Sequence, residues 1–360
     1  DYEDGFSPLT LAVKEGHGGV VRDLAALGAQ NFFTVPEFHL QDKNIMAVTR
    51  QEAEKATNII DSPATKHARK KDQLGSFVDA WKCLMTDYED GFSPLTLAVK
   101  EGHAGVVREL AALGADVNHT DGGGYTPLGR AVTENNVDMI RALAEVEAKV
   151  NKRNTNDDGN DNNDNNEDRD GTIYCPPVSL ASLMGHVAAL RVLVELGGDV
   201  NGVDEQGFSP VHKAAEEGQV DVIRALAELG ANVNALTKMG CTPVFVAAKN
   251  NEVNTIKALA ALGANVNTPT EDGRTPIFIA AQEGCVNAIQ ALVELGGNVT
   301  TQDENGYTPV CIAALTGEVD AIRALTELGA NVNTPCEDGA TLAHVAAQMG
   351  EVGVIRALFE

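Results

Sequence analysis

Apolar positions along this chain come in two alternating patterns. One is a short block in which a Ser/Thr-Pro step opens a run ending in two alanines, as in Ser209-Pro210-Val211-His212-Lys213-Ala214-Ala215. The other is a longer stretch with Val220, Val222, Ile223, Leu226 and Leu229 on one face and Asp221, Arg224 and Glu228 on the opposite one. That spacing is helical, and the charges stand at i,i+3 and i,i+4 separations that support a helix. Ser209 suits an N-cap, and Pro210 suits the first helical position, where no N–H bond is lost. Gly218 and Gly230 are placed to end the two helices. Gly207, before Phe208, permits the positive φ of a tight turn. The unit therefore reads as turn, short helix, Gly, second helix, Gly.

The unit repeats. From Ser209-Pro210, steps of 33 residues reach Thr242-Pro243, Thr275-Pro276, Thr308-Pro309 and Thr341-Leu342, and one step back reaches Pro177. Ser93-Pro94 and Thr126-Pro127 are also 33 apart in a second phase, and Ser7-Pro8 opens one more copy, which makes nine. Neither helix of a unit can bury its apolar face alone, so neighbours must stack. Residues 172–360 are expected to form six helix pairs.

The turn, the T-P step, the double alanine and the sequence Gly-Ala-Asn-Val-Asn at 230–234 together resemble the ankyrin repeat, over about two thirds of the chain. His212 and His344 match the His of that family's T-P-L-H-x-A stretch. The resemblance implies an all-α solenoid of stacked helix-turn-helix units with projecting β-hairpin turns. It also implies a protein-interaction scaffold that grips partners on the concave face made by hairpins and inner helices. The alternative is a substrate- or partner-recruiting region of a larger enzyme or channel. The chain opens inside a repeat and closes in a helix, as expected for a piece of a longer protein. Asparaginyl hydroxylases that act on such repeats favour a Leu ahead of Asp-Val-Asn. Leu110 before Asp116-Val117-Asn118 and Leu193 before Asp199-Val200-Asn201 fit. Asn118 and Asn201 are therefore candidate modification sites, against the plainer reading that they order the turn through side-chain to backbone bonds.

Two segments depart from the unit. Copy 1 spans 1–29, repeats 2–3 span 87–151 and repeats 4–9 span 172–360. Segments 1–29 and 87–115 agree at 27 of 29 positions, differing at Gly18/Ala104 and Asp23/Glu109, with a non-repeat insert at 30–86 between them. In the insert, Leu74, Phe77, Val78, Trp81 and Leu84 form an apolar stripe at helical spacing, read as a helix docked on the stack or as a partner-binding helix. Residues 152–171 are dominated by Asn and Asp, cannot bury enough apolar surface to offset their ordering entropy, and are expected to be a disordered loop.

Charge narrows the partners. The net charge is −25, which repels nucleic-acid phosphates. Six cysteines at 83, 175, 241, 285, 311 and 336 show no C-x-x-C pair and no zinc set, as expected in a reducing compartment, cytoplasmic or nuclear. No apolar run is long enough to span a membrane. Asn166 to Ile173 resembles the first half of a calcium loop, but its twelfth position is Pro177 rather than a bidentate Glu. No nucleophile, metal or phosphate-loop motif is present. The chain is thus expected to be no enzyme and to need no cofactor, metal or small-molecule substrate.

The candidate contact residues lie at the hairpins and first helices. The position after the turn Gly is Phe6, Phe92, Tyr125, Phe208 or Tyr307 in five copies, in a chain only 4% aromatic. Such a ring is either an exposed binding anchor or packed on the next hairpin. Around them stand Glu205, Glu216, Glu217, Glu271, Asp272, Glu283, Glu304, Glu337 and Asp338, opposed by Lys238, Lys249 and Arg274. That imbalance favours a partner with a basic segment.

Overall fold

A computed structural model describes residues 8–23, 93–152, 175–334, 339–350 and 352–359. The 30–86 insert, the 152–171 loop apart from Lys152, and Phe6, Phe92, Glu337 and Asp338 lie outside the described residues. Every regular element among the described residues is helical.

The chain divides into two compact units, Asp1–Ile173 and Tyr174–Glu360. In the first, α1 (Pro8–Lys14) packs on α2 (Pro94–Lys100), which pairs with α3 (Ala104–Ala112) and packs on α4 (Pro127–Thr133). Helix α4 pairs with α5 (Val137–Glu145), which also packs on α3.

The second unit holds six helix pairs. They are α6 (Pro177–Leu183) with α7 (Val187–Glu195), α8 (Pro210–Glu216) with α9 (Val220–Glu228), and α10 (Pro243–Lys249) with α11 (Val253–Ala261). Then follow α12 (Pro276–Gln282) with α13 (Val286–Glu294), α14 (Pro309–Thr316) with α15 (Val319–Glu327), and α16 (Leu342–Met349) with α17 (Val352–Phe359). First helices pack on neighbouring first helices, and second helices on neighbouring second helices.

Helices this short do not persist alone, since isolated helices below ~12 residues are marginal in water. Two things hold them. One is capping: the hydroxyls of Thr242, Thr275 and Thr308 accept the N–H groups of Phe245 (3.1 Å), Phe278 (3.3 Å) and Cys311 (3.4 Å). Such a cap contributes ~1 kcal/mol. The other is close packing. The alanine pairs 214–215, 247–248, 280–281 and 313–314 are wholly buried, as are Ile223, Leu226, Ile256, Leu259, Ile289 and Leu292 on the second helices. Burying each of these larger side chains contributes ~1.5–3 kcal/mol, and the methyl-sized pairs let first helices approach closely.

Candidate functional site

Between one repeat's second helix and the next repeat's first helix, the chain turns back on itself at a hairpin tip. The residue three places before the turn Gly builds that tip. Asp204 Oδ1 accepts the N–H groups of Gln206 (3.0 Å) and Phe208 (2.8 Å), and Asp303 Oδ1 accepts those of Asn305 (3.1 Å) and Tyr307 (2.8 Å). Asp121 does the same for Gly123 (2.9 Å) and Tyr125 (3.0 Å) in the first unit. Where the residue is Thr, at 237 and 270, its hydroxyl accepts only the second of these bonds, from Cys241 and Arg274, each 3.1 Å.

The tips of the second unit are tied to one another. Gln206 O accepts from Lys238 N (2.9 Å), Met239 O from Glu271 N (3.2 Å) and Asp272 O from Glu304 N (3.0 Å). This explains the turn glycines beyond their positive φ. A Cβ on Gly207 would stand 2.8 Å from Lys238 N, and one on Gly240 2.9 Å from Glu271 N. The next tip occupies the space a side chain would need.

Asn118 and Asn201 do not order their own turns. That role falls to Asp116 and Asp199, two residues earlier, whose carboxylates accept the Asn118 and Asn201 N–H groups (2.8 and 2.9 Å). The asparagine side chains instead reach the following repeat. Asn118 Oδ1 accepts from Lys149 N (2.8 Å) and Asn201 Oδ1 from Asn232 N (2.8 Å). Asn234 and Asn267 repeat the bond to Asn265 N (2.9 Å) and Asn298 N (2.8 Å). Their amides also donate to the carbonyls of Gly263 (3.2 Å) and Gly296 (2.9 Å). The row of bonds stops at Thr300, whose hydroxyl turns back onto Asn298 Oδ1 (2.7 Å).

Two of the aromatic rings sit under a cation of their own repeat. Tyr125 is half-buried with the Arg130 guanidinium 4.4 Å from its ring centroid, and Arg130 Nε donates to Asp121 Oδ2 at 2.6 Å. Phe208 is half-buried with Lys213 Nζ 4.8 Å from its centroid, Lys213 lies 3.4 Å from Asp204, and the edge of His212 completes the cluster at 5.6 Å. The turn-building Asp thus also holds the cation that covers the ring, a contact beyond the two arrangements expected from the sequence. Tyr307 is half-buried as well, and the residue matching Arg130 and Lys213 there is Ile312.

Lys213, missed in the sequence reading, also changes the charge count. Glu217 is exposed, but Glu216 is partly buried with its carboxylate 3.9 Å from Lys213 Nζ, so it is not a simple outward-facing charge. Arg274 Nε lies 2.9 Å from Asp272 Oδ2 without the alignment of a hydrogen bond, and its guanidinium stands 5.8 Å from the Phe278 ring. Glu205, Glu271, Glu283 and Glu304 are exposed, as are Lys238 and Lys249. The described face therefore stays acidic, by less than the bare residue list implies. Only the spacing Asp-x₃-aromatic-x₄-Lys/Arg could have signalled the role of Lys213.

Buried titratable groups serve the stack. His212 is wholly buried, and burial pushes its pKa down to about 4. Its Nδ1 accepts from the Ser209 hydroxyl (2.8 Å) and lies 3.1 Å from the Ser209 N–H. The ring proton is therefore on Nε2, which donates to Cys241 O of the next repeat at 3.0 Å. Burial likewise pushes the Cys175 thiol up to about 11, which leaves it an unreactive thiol at neutral pH. Among the described residues no helix is long and apolar enough to cross a membrane.

A family model, Ankyrin repeats (3 copies), matches residues 68–154, 158–237, 232–303 and 295–360, and the chain belongs to that family. The first match takes in residues 68–86, which the spacing assigned to the insert. Ankyrin repeats as a class are protein–protein interaction modules. No curated protein matches the chain.

Proposed function

We propose that this ankyrin-repeat chain is a non-catalytic scaffold that binds a partner protein across the hairpin tips and first helices of its second unit, and that the partner presents a basic segment. The observation that carries the reading is the surplus of exposed carboxylates on that face. Glu205, Glu217, Glu271, Glu283 and Glu304 are exposed there against Lys238 and Lys249, while Lys213 and Arg274 are engaged with Asp204, Glu216 and Asp272. Such a field favours encounter with positive charge and weakens as salt is raised. The tip backbones are fixed by bonds to their neighbours, so little ordering would be needed on binding.

The test is a partner captured on the intact chain and titrated at low and high salt against the parent and the Glu216→Lys/Glu217→Lys variant. Affinity is expected to fall about tenfold on raising salt from 50 to 300 mM, and to fall similarly in the variant at low salt. The variant should keep its helical circular dichroism, because neither side chain is part of the buried packing. Equal binding of parent and variant at both salt levels would move the site to the second helices or to residues 30–86.

A further inference from the structure

The hairpin row carries apolar side chains where its siblings are polar. Slot by slot along the second unit, one turn position is Val203, Leu236, Pro269 and Gln302, and another is Gln206, Met239, Asp272 and Asn305. Val203 is 46% exposed, Leu236 55% and Met239 70%, and Pro269 is exposed too. Loose backbone does not account for this. Asn201 Oδ1 to Asn232 N (2.8 Å) and Gln206 O to Lys238 N (2.9 Å) clamp the first two tips together, and Met239 O to Glu271 N (3.2 Å) clamps the second to the third. Val203 and Leu236 therefore hold equivalent places on neighbouring, fixed tips. They are about 10 Å apart by the ordinary spacing of packed helices. Clustered apolar exposure of this kind marks an interaction site.

The charges within the same turns say what would cover it. Glu205 stands beside the Val203 tip, Lys238 beside Met239 and Glu271 on the next tip, all exposed, which leaves a net negative rim around an apolar strip. An acidic segment would be repelled, and a neutral apolar surface would leave the carboxylates desolvated without partners.

We infer that Val203, Leu236 and Met239 are the anchor for a protein segment bearing apolar side chains about 10 Å apart between Lys or Arg residues. This deepens the proposed function and rests on it. Three side chains expose less than the ~800 Å² a stable partner covers, so the strip is the anchor of a wider contact that includes the acidic rim.

The test is selection of displayed random twelve-residue peptides on the full 360-residue chain, followed by affinities of the enriched peptides for two variants. Enriched peptides should pair two apolar residues with flanking Lys or Arg. They should bind Leu236→Ser/Met239→Ser about tenfold or more weakly, the loss that follows truncation of two anchors. Both positions are exposed, so the thermal midpoint should not move. If the peptides are weakened by Glu216→Lys/Glu217→Lys and not by the hairpin variant, the proposed function stands and this inference falls. If neither variant weakens them, both fall. Enrichment of acidic peptides, or no enrichment over an empty support, also overturns it.

Discussion

In the second unit, the hairpin side and the second-helix side keep the same 33-residue period but hold neighbouring repeats together by different physics. On the hairpin side, contacts between repeats are neutral hydrogen bonds through backbone groups, backed by the buried His212 and the asparagine row. On the second-helix side, beyond the apolar packing of the helices, the polar contacts between repeats are ion pairs in solvent, Arg191 with Glu228 (2.5 Å) and Lys257 with Glu294 (3.1 Å), with side chains 45–65% exposed. The His212 bond excludes water and keeps most of its strength, and the asparagine bonds, although exposed, carry no charge to desolvate, whereas an exposed ion pair exchanges its attraction for hydration and side-chain entropy. The two sides should therefore rank clearly when each is broken in turn.

The largest effect should come from the buried histidine. The folded state holds His212 neutral down to about pH 4, whereas the unfolded chain takes up a proton near the ordinary value of 6.5. Stability from this site is complete above pH 6.5 and is lost as pH falls from there toward 4. By linkage, ~1.4 kcal/mol should be gone at pH 5.5. His212→Phe is the control, because Phe245 and Phe278 fill the same slot in the next two repeats. Urea unfolding at pH 7 and pH 5.5 should show the parent losing ~1.2 kcal/mol more than the variant. Equal losses would mean that the ring is not held neutral and that the hairpin side owes little to the burial of His212.

The asparagine row comes next. Asn267→Ala removes an acceptor from Asn298 N and a donor to Gly296 O, both exposed, and should cost ~1 kcal/mol. Thr300 offers the converse experiment. Its hydroxyl is folded back on Asn298, and Asn331 N is the equivalent of the N–H groups that donate to the asparagine side chain in the other repeats. Thr300→Asn should restore the missing tie and add ~1 kcal/mol. If both substitutions are neutral in chemical denaturation, the row orders turns without binding repeats to one another.

The sequence made the helices legible because their signals are local. Thr before Pro, the alanine pair and the apolar stripe of the second helix act within a few residues, and the caps and buried faces follow them closely. What escaped was the content of the contacts between repeats. A period of 33 says that Asn201 has equivalents at 234 and 267. It does not say that Oδ1 reaches 31 residues ahead while Asp199 builds the local turn. Lys213 escaped for a related reason. A charge on a helix reads as solvated by default, and its place over Phe208 depends on Asp204 drawing it inward. Glu216 then follows Lys213.

The smallest effect belongs to the second-helix side, and it is the sharpest test of the contrast. Arg191 pairs with Glu228, and Lys257 with Glu294, each across 37 residues; the corresponding partner of Arg224 is Ala261. With no carboxylate there, Arg224 lies 3.6 Å from Asp221 of its own helix, both strongly exposed. Ala261→Glu fills the gap at the last position of α11, the place that Glu228 and Glu294 hold in their own helices. An acid there meets the negative end of the helix, and Ala is the better helix former, so each effect removes a few tenths of a kcal/mol. A new exposed pair returns about as much. The net change in stability should be close to zero. The coupling energy in a cycle with Arg224→Ala should be ~0.3–0.5 kcal/mol at low salt and vanish near 0.5 M salt. A coupling above ~1 kcal/mol that survives salt would put an exposed ion pair level with the hairpin bonds. In that case the hydration of charge would not be what separates the polar contacts on the two sides of the stack.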